Sequence, residues 1–306
     1  MFTVRVPATI ANMGPGFDSF GMAVSLYNRF TFELAEPGTI DTLHFSSSGK
    51  ADVSSLSGEI SSDNILLQAM NRLYDQAGQI RPALRISAQA DIPVTRGLGS
   101  SSTAIIAGLI AANRLLDDRF ESQDLLKIAI DMEGHPDNVA PALLGGVVLY
   151  DTQPYSLPWP IEWRVLTLSP AYPVSTEEAR KILPQQCSLS SAIFNLRKAS
   201  VLTYALLQGD AEALRHSLHD QLHQPYRRHL IAEYGDIEQL VMGAGAYGMI
   251  ISGSGSTMAV FYPSVVHVSL LEKVQHLITQ KGWDIEINTL AVDTDGAQLE
   301  GAILHS

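Results

Sequence analysis

Residues 93–103 read Pro-Val-Thr-Arg-Gly-Leu-Gly-Ser-Ser-Ser-Thr and run directly into an apolar stretch, Ala104 to Leu116. Few turns constrain a chain as tightly. Gly97 and Gly99 open backbone angles closed to other residues and let a ligand approach the main chain. Ser100, Ser101 and Ser102 add hydroxyls where a helix begins. Amides without intrahelical partners and the positive end of the helix dipole meet there, so the site suits a phosphate. A flexible turn with an ordinary N-cap would need only one glycine and one serine. The segment is not the Gly-x-x-x-x-Gly-Lys-Ser/Thr loop, because no lysine follows Gly99. Nor is it Gly-x-Gly-x-x-Gly, because position 102 is serine.

A chain of 306 residues can bury a sizeable core, and at about 150 residues each two domains are the natural division. The net charge of −12 argues against nucleic acid or an anionic membrane as partner. A nucleotide stays compatible with it, since local amides and a metal ion override the global field. The single cysteine, Cys187, excludes an internal disulfide framework and fits a reducing compartment. The first residues lack the pattern of a secretory signal. The apolar run Ala104–Ala112 falls short of the ~20 residues of a membrane span. A cytoplasmic location is expected.

Phe45 to Asn64 reads as a long surface loop before a helix that starts at Ile65. Leu84–Ala90 alternates like a half-buried strand. Ser122 and Asp137 are candidate caps for the next two helices, which close at Gly134 and at Gly145-Gly146. Val147–Tyr150 reads as a strand. Gln153–Pro160 holds three prolines and cannot be a regular central strand. Trp163–Leu168 is a strand, and the expected domains are 1–168 and 169–306. Beyond the boundary, Ser175-Thr176-Glu177-Glu178 fits a capping box. Helices are expected over 190–207, 211–222 and 267–280, with strands near 249–251, 257–262 and 283–292. The mixture is α+β rather than a doubly wound parallel sheet.

The pattern Pro-x-x-x-Gly-Leu-Gly-Ser-Ser resembles the phosphate loop of the GHMP small-molecule kinases. Two more segments carry the likeness in the family's order. They are Val6-Pro7-Ala8-Thr9-Ile10-Ala11-Asn12-Met13-Gly14-Pro15-Gly16-Phe17-Asp18 and the run from Gly245 to Thr257. The likeness covers essentially the whole chain. Within the family the first segment, together with Glu133-Gly134-His135-Pro136-Asp137-Asn138-Val139-Ala140-Pro141, is similar to the homoserine kinase branch. The Gly-Glu-His of galactokinases and mevalonate kinases is missing. The resemblance implies a two-domain α+β GHMP kinase fold: a ribosomal S5 domain 2-like N-terminal domain, a ferredoxin-like C-terminal domain, and the active site between them. It also implies ATP and Mg2+ as cofactors. The reaction it implies is phosphorylation of the L-homoserine hydroxyl to O-phospho-L-homoserine in threonine biosynthesis. Two alternatives remain: a family member with another acceptor, or an inactive binding protein of the same fold.

Residue by residue, the resemblance assigns nucleotide binding to Asn64, Pro93, Arg96, Gly97, Leu98, Gly99, Ser100, Ser101, Ser102 and Thr103, with Gly253 and Ser254 as a second wall. Asn64 would meet the adenine, or it is a helix cap. Glu133 and Ser101 would hold magnesium, a hard ion that takes oxygen ligands. The substrate would meet Asn12, Asp18, His135, Asn138, Thr176, Arg180 and Arg227. The two arginines would grip its carboxylate in bidentate fashion, and Asp18 would receive its ammonium. Asn12, Asn138 and Glu133 form the catalytic set. No residue stands out as a general base, and Asp137 is equally a helix cap. His219 and His223 lie at a zinc-like spacing around Asp220, but without a His-Glu-x-x-His motif they read as a solvated helix face. A homodimer is expected from the resemblance alone.

Overall fold

A computed structural model describes residues 1–36, 38–46, 58–61 and 63–301. The first half comprises β1 (Phe2–Ala11), β2 (Phe20–Leu34), β3 (Thr42–Ser46), β4 (Gly58–Glu59), α1 (Ile65–Ala77), β5 (Leu84–Ala90), α2 (Ser100–Leu115), α3 (Ser122–Glu133), α4 (Pro136–Leu144), β6 (Val147–Tyr150) and β7 (Pro154–Leu157). The second half comprises β8 (Trp163–Pro170), α5 (Thr176–Lys181), α6 (Leu189–Gln208), α7 (Ala211–Ser217), α8 (Gln224–Arg227), α9 (Tyr234–Gly243), β9 (Gly248–Ile251), β10 (Met258–Pro263), α10 (His267–Lys281), β11 (Ile285–Leu290) and β12 (Gln298–Glu300). Of the loop expected over Phe45–Asn64, residues 47–57 and 62 lie outside the described residues, while Phe45 and Ser46 finish β3.

The 15-residue β2 is the spine of an eight-stranded sheet. Its length lets it pair with β1 on one side and with both β5 and β6 on the other. Helices α1 to α4 cover one face, where Val4, Val6, Phe32 and Ile86 meet Leu66, Met70, Ile105, Leu109 and Val139. Among the described residues the proline-bearing β7 pairs only with β6, at the sheet's margin, where proline is tolerated.

A register shift between β1 and β2 at Pro7/Ala8, where Ser25 and Leu26 of β2 are left without partners in β1, decides which residues face the helices. Phe2, Val4 and Val6 enter the core under the helices, whereas Ala8 and Ile10 enter the opposite one. The faces of the strand are exchanged across this irregularity. Thr9 is thereby turned toward α4.

The second sheet is antiparallel with order β11-β8-β10-β9. Counted along the chain this is 4-1-3-2, with helices between its first and second and its third and fourth strands. That is the ferredoxin-like arrangement. Both faces of β8 are buried: Trp163 and Val165 look toward the first half, Leu166 and Leu168 toward α9 and α10. All pairing of β8 lies within this sheet, so a boundary at 168/169 severs a strand from its partners. The sheets divide the chain before Trp163. The end of the described chain then returns, as β12, to pair with β1 in the first sheet.

Three local expectations are corrected. Ser122 is the first residue of α3, not its cap, which is Glu121. Asp137 lies inside the first turn of α4, and His135 occupies the N-cap ahead of Pro136. The helix expected over 211–222 stops at Ser217. There the Asp220 carboxylate accepts the amides of Leu222, His223 and Gln224 and competes with the helical pattern.

Candidate active site

A cavity of about 420 Å³ lies between the halves. Phe30, Leu43, Phe45, Ile65 and Leu66 line one end. Asn12, Asp18, His135, Asn138, Thr176, Arg180 and Arg227 line the other, and the Gly97–Ser101 turn runs between them. Asn64 lines the cavity and also caps α1, accepting the amide of Leu66. Its two readings are compatible.

Gly97 and Gly99 are both left-handed, with φ of +80° and +71°, and Gly99 is the N-cap of α2. The first-turn amides that follow have no intrahelical partners, and no acid stands in that turn. The glycines are needed for a reason other than ligand approach alone. A Cβ on Gly97 would lie 2.1 Å from the Ser252 carbonyl oxygen, and one on Gly99 would lie 2.1 Å from Thr9 Oγ1. The turn is also tied to the second half: Ser252 Oγ donates to the Gly97 carbonyl (2.6 Å) and the Thr257 amide to that of Arg96 (3.1 Å).

Not every residue assigned to the nucleotide faces the cavity. Gly97, Leu98, Gly99, Ser100, Ser101, Gly253 and Ser254 line it, and Pro93, Arg96, Ser102 and Thr103 do not. Arg96 donates to the Ala171 carbonyl, and Thr103 Oγ1 accepts from Asn28. These residues shape the turn from behind.

Glu133 ends α3, and the left-handed Gly134 (φ +87°) turns the chain away after it. Ser101 Oγ and Ser102 Oγ donate to its two carboxylate oxygens at 3.0 and 2.9 Å. A carboxylate is mildly unfavourable at its own helix C-terminus. Here it also sits against the positive N-terminus of α2, which offsets that cost. Carboxylate and hydroxyl oxygens beside free amides are the donor set a magnesium–polyphosphate pair requires. Asp18, His135 and Asp137 form a second group whose ligand atoms lie within 4.8 Å of one another. Its charges are already matched, Asp18 by Arg180 and Asp137 by His135, so the Glu133 set is the better fit to a hard cation.

The acceptor end draws on both halves. Asn12 is left-handed (φ +69°). Its Oδ1 accepts the Asp18 amide, and its Nδ2 donates to the Gly253 carbonyl. Thr9 Oγ1 donates to Asn138 Oδ1 at 2.7 Å and so aims the Asn138 amide. Both terminal nitrogens of Arg180 donate to Asp18, at 3.2 and 2.9 Å. The buried Arg227 donates from Nε to the Ala179 carbonyl and from Nη1 to that of Gly253. Only Nη2 is left for a ligand, so a bidentate grip by Arg227 is unavailable without giving up a backbone contact. Burial, with Arg180 nearby, lowers the Arg227 pKa to about 10, which still leaves it charged at neutral pH. Burial pushes His135 down, but its hydrogen bond to the Asp137 carboxylate and the charges of Asp137, Glu133 and Asp18 outweigh it and raise its pKa. Thr176 opens α5 under a Ser175 cap that accepts the Glu178 amide.

Sequence reasoning passed over Thr9 and Phe17 and set His223 aside as part of a solvated helix face. Phe17 stacks on His223 at 5.0 Å, and the guanidinium groups of Arg180 and Arg227 lie 5.6 and 5.2 Å from its ring. His223 is fully buried, not on a solvated helix face. The usable signal was the spacing Asp220, His223, Arg227, which one helical face would bring together.

The family model described as the GHMP kinases N terminal domain matches residues 64–146, and the model for the GHMP kinases C terminal matches 202–272. A homoserine kinase of Synechocystis sp. is 41% identical over 97% of this chain and 98% of its own length. The chain belongs to the GHMP kinase family. A homoserine kinase of Crocosphaera subtropica is 39% identical to this GHMP kinase over 97% of both proteins. The crystal structure of homoserine kinase from Cytophaga hutchinsonii superposes with a TM-score of 0.85 at 28% identity, covering 97% of this chain and 96% of that one. Among the described residues of this GHMP kinase, no helix is long and apolar enough to cross a membrane.

Proposed function

We propose that this GHMP kinase transfers the γ-phosphoryl group of ATP to the hydroxyl of L-homoserine, releasing ADP and O-phospho-L-homoserine for threonine biosynthesis. One observation supports it above the others. A single cavity joins the free amides at the start of α2 to a cluster of two guanidinium groups, a carboxylate and two asparagines. That cluster is complementary to a zwitterion bearing a primary hydroxyl. The names of the relatives support the same substrate.

In this reading the apolar end takes the adenine beside Asn64, and the α2 amides with Ser100 take the polyphosphate. Glu133 and Ser101 hold Mg2+, which supplies charge neutralisation at the transferring phosphoryl. Asp18 receives the ammonium. Arg180 and Arg227 Nη2 receive the carboxylate, so Arg180 exchanges part of its contact with Asp18 for substrate. Thr176 and His135 bound the acceptor. Asn12 and Asn138 flank the hydroxyl and the γ-phosphoryl. The new O–P bond forms as the bond to ADP breaks, and the hydroxyl proton passes to water with no dedicated base. Catalysis is then positioning and charge stabilisation.

A homodimer and a cytoplasmic location belong to this reading through the resemblance and the composition, and sedimentation tests the first. The decisive assay couples ADP release to a panel of amino alcohols. Homoserine with the highest kcat/KM is the expected result. A different preferred acceptor overturns the substrate, and no turnover with any of them overturns the kinase reading.

A further inference from the structure

The residues that face the acceptor come from separate segments, and something must hold those segments in register. His223 sits where they meet. Its ring is fully buried and does not line the cavity. Nε2 lies 2.7 Å from the Gly14 carbonyl oxygen and 3.7 Å from Asp220 Oδ2. Both are acceptors, so the proton resides on Nε2. Nδ1 then carries a lone pair, and Arg227 Nη1 lies 3.4 Å from it. Phe17 stacks on the ring and in turn faces both arginines. The Asp220 carboxylate accepts three backbone amides and Asn195 Nδ2. Asn195 also donates to the Pro15 carbonyl. The turn carrying Asn12 and Asp18 is thus tied to the segment carrying Arg227 at both Gly14 and Pro15.

We propose that His223, in its neutral Nε2–H form, is a positioning residue for the acceptor: it holds the Asn12–Asp18 turn through Gly14 and aims Arg227 through Nδ1. The inference rests on the reading of this cavity end as the acceptor site. A second proton on the ring would place Nδ1–H against the Arg227 cation and break the link. The charged groups acting on the ring are Asp220, Arg227 and Asp18, and burial is the largest influence, holding its pKa below the usual histidine value.

Steady-state kinetics on wild type, His223→Leu and His223→Gln test it. Loss of one aimed hydrogen bond predicts a homoserine KM raised roughly tenfold in His223→Leu, with the ATP KM within about twofold and kcat within a few-fold. His223→Gln keeps a donor and an acceptor and should recover part of the loss. Adding Arg227→Lys to His223→Leu should cost less than the product of the two single losses, because part of the histidine's effect passes through the arginine. The proposal is overturned by an unchanged homoserine KM, by equal rises in both KM values, or by losses that multiply in the double variant. If His223→Leu does not fold, His223→Gln carries the test through a smaller but still homoserine-confined rise. Failure of the substrate reading is seen separately, as wild-type enzyme inactive on homoserine. The same KM split, read with whichever amino alcohol wild type accepts, then still tests His223.

Discussion

The two ends of the cavity are built by opposite means. The phosphate end is main chain from consecutive residues, Gly97 to Ser101, at one helix start. The acceptor end is side chains gathered from four segments: 12–18, 135–138, 176–180 and 227. A contiguous backbone site depends on a few glycines and on what lies behind them. A site of gathered side chains depends on every link that holds its segments together. The first tolerates changed side chains and fails abruptly when a glycine is lost. The second degrades by steps.

Mutations can break or sharpen that contrast. The largest effect is expected at the junction of the two ends. Glu133→Gln keeps the serine contacts and loses the charge, so kcat should fall by about 10²–10³. A magnesium titration should shift to higher concentration, and an unchanged magnesium dependence would move the metal elsewhere. Next comes Gly97→Ala. Its Cβ would meet the Ser252 carbonyl at a left-handed position, so both stability and activity should suffer, by about 2–3 kcal/mol and ~10² in kcat/KM. Calorimetry and kinetics on one preparation read both. A normal melting temperature with normal turnover would show that the backbone end is more forgiving than drawn here.

Smaller steps belong to the acceptor end. Arg227→Lys loses two backbone contacts and the open Nη2, and homoserine kcat/KM should drop by roughly one to two decades while the ATP KM holds. Arg180 is 40% exposed and already paired with Asp18. Arg180→Lys should therefore cost less, about tenfold or under. Equal losses in the two variants would contradict the unequal roles of the arginines. The smallest effect is thermodynamic. Burial lowers the His223 pKa from 6.5, so the unfolded chain binds the proton more readily. Its contribution to stability is complete above pH 6.5 and is lost as pH falls through the lower folded value. Urea midpoints at pH 7 and pH 5 should differ more for wild type than for His223→Leu.

The same contrast governs what could be read from sequence. The phosphate turn was legible because its chemistry is local: two glycines, three serines and an apolar helix stand side by side. The acceptor residues were named through family resemblance, and spacing alone would have left Arg180 and Arg227 as surface cations. What escaped was relational. Thr9 acts on Asn138 because a register shift at Pro7/Ala8 exchanges the strand's faces, and no periodicity announces such a shift. His223 looked like a helix-face residue because the pattern over 211–222 is amphipathic, and only the Asp220 amide bonds end that helix early. The edge between the two sheets is hard to read because β8 is buried on both faces and has no alternation to say which sheet owns it.

The return of β12 to β1 bears on the order in which the protein can be made. Thr3, Val4 and Arg5 pair with residues 298–300, so one edge of the first sheet stays open until nearly the whole described chain has been synthesised. The exposed edge is a row of unpaired amides and carbonyls, a template for any neighbouring strand. During translation the growing chain carries that edge through the time needed to add nearly 300 residues, at about 5–20 residues per second. A holding chaperone or fast synthesis would shorten the exposure. Moving β12 to the front of the chain by circular permutation should remove it, and should raise the soluble yield without altering the finished cavity.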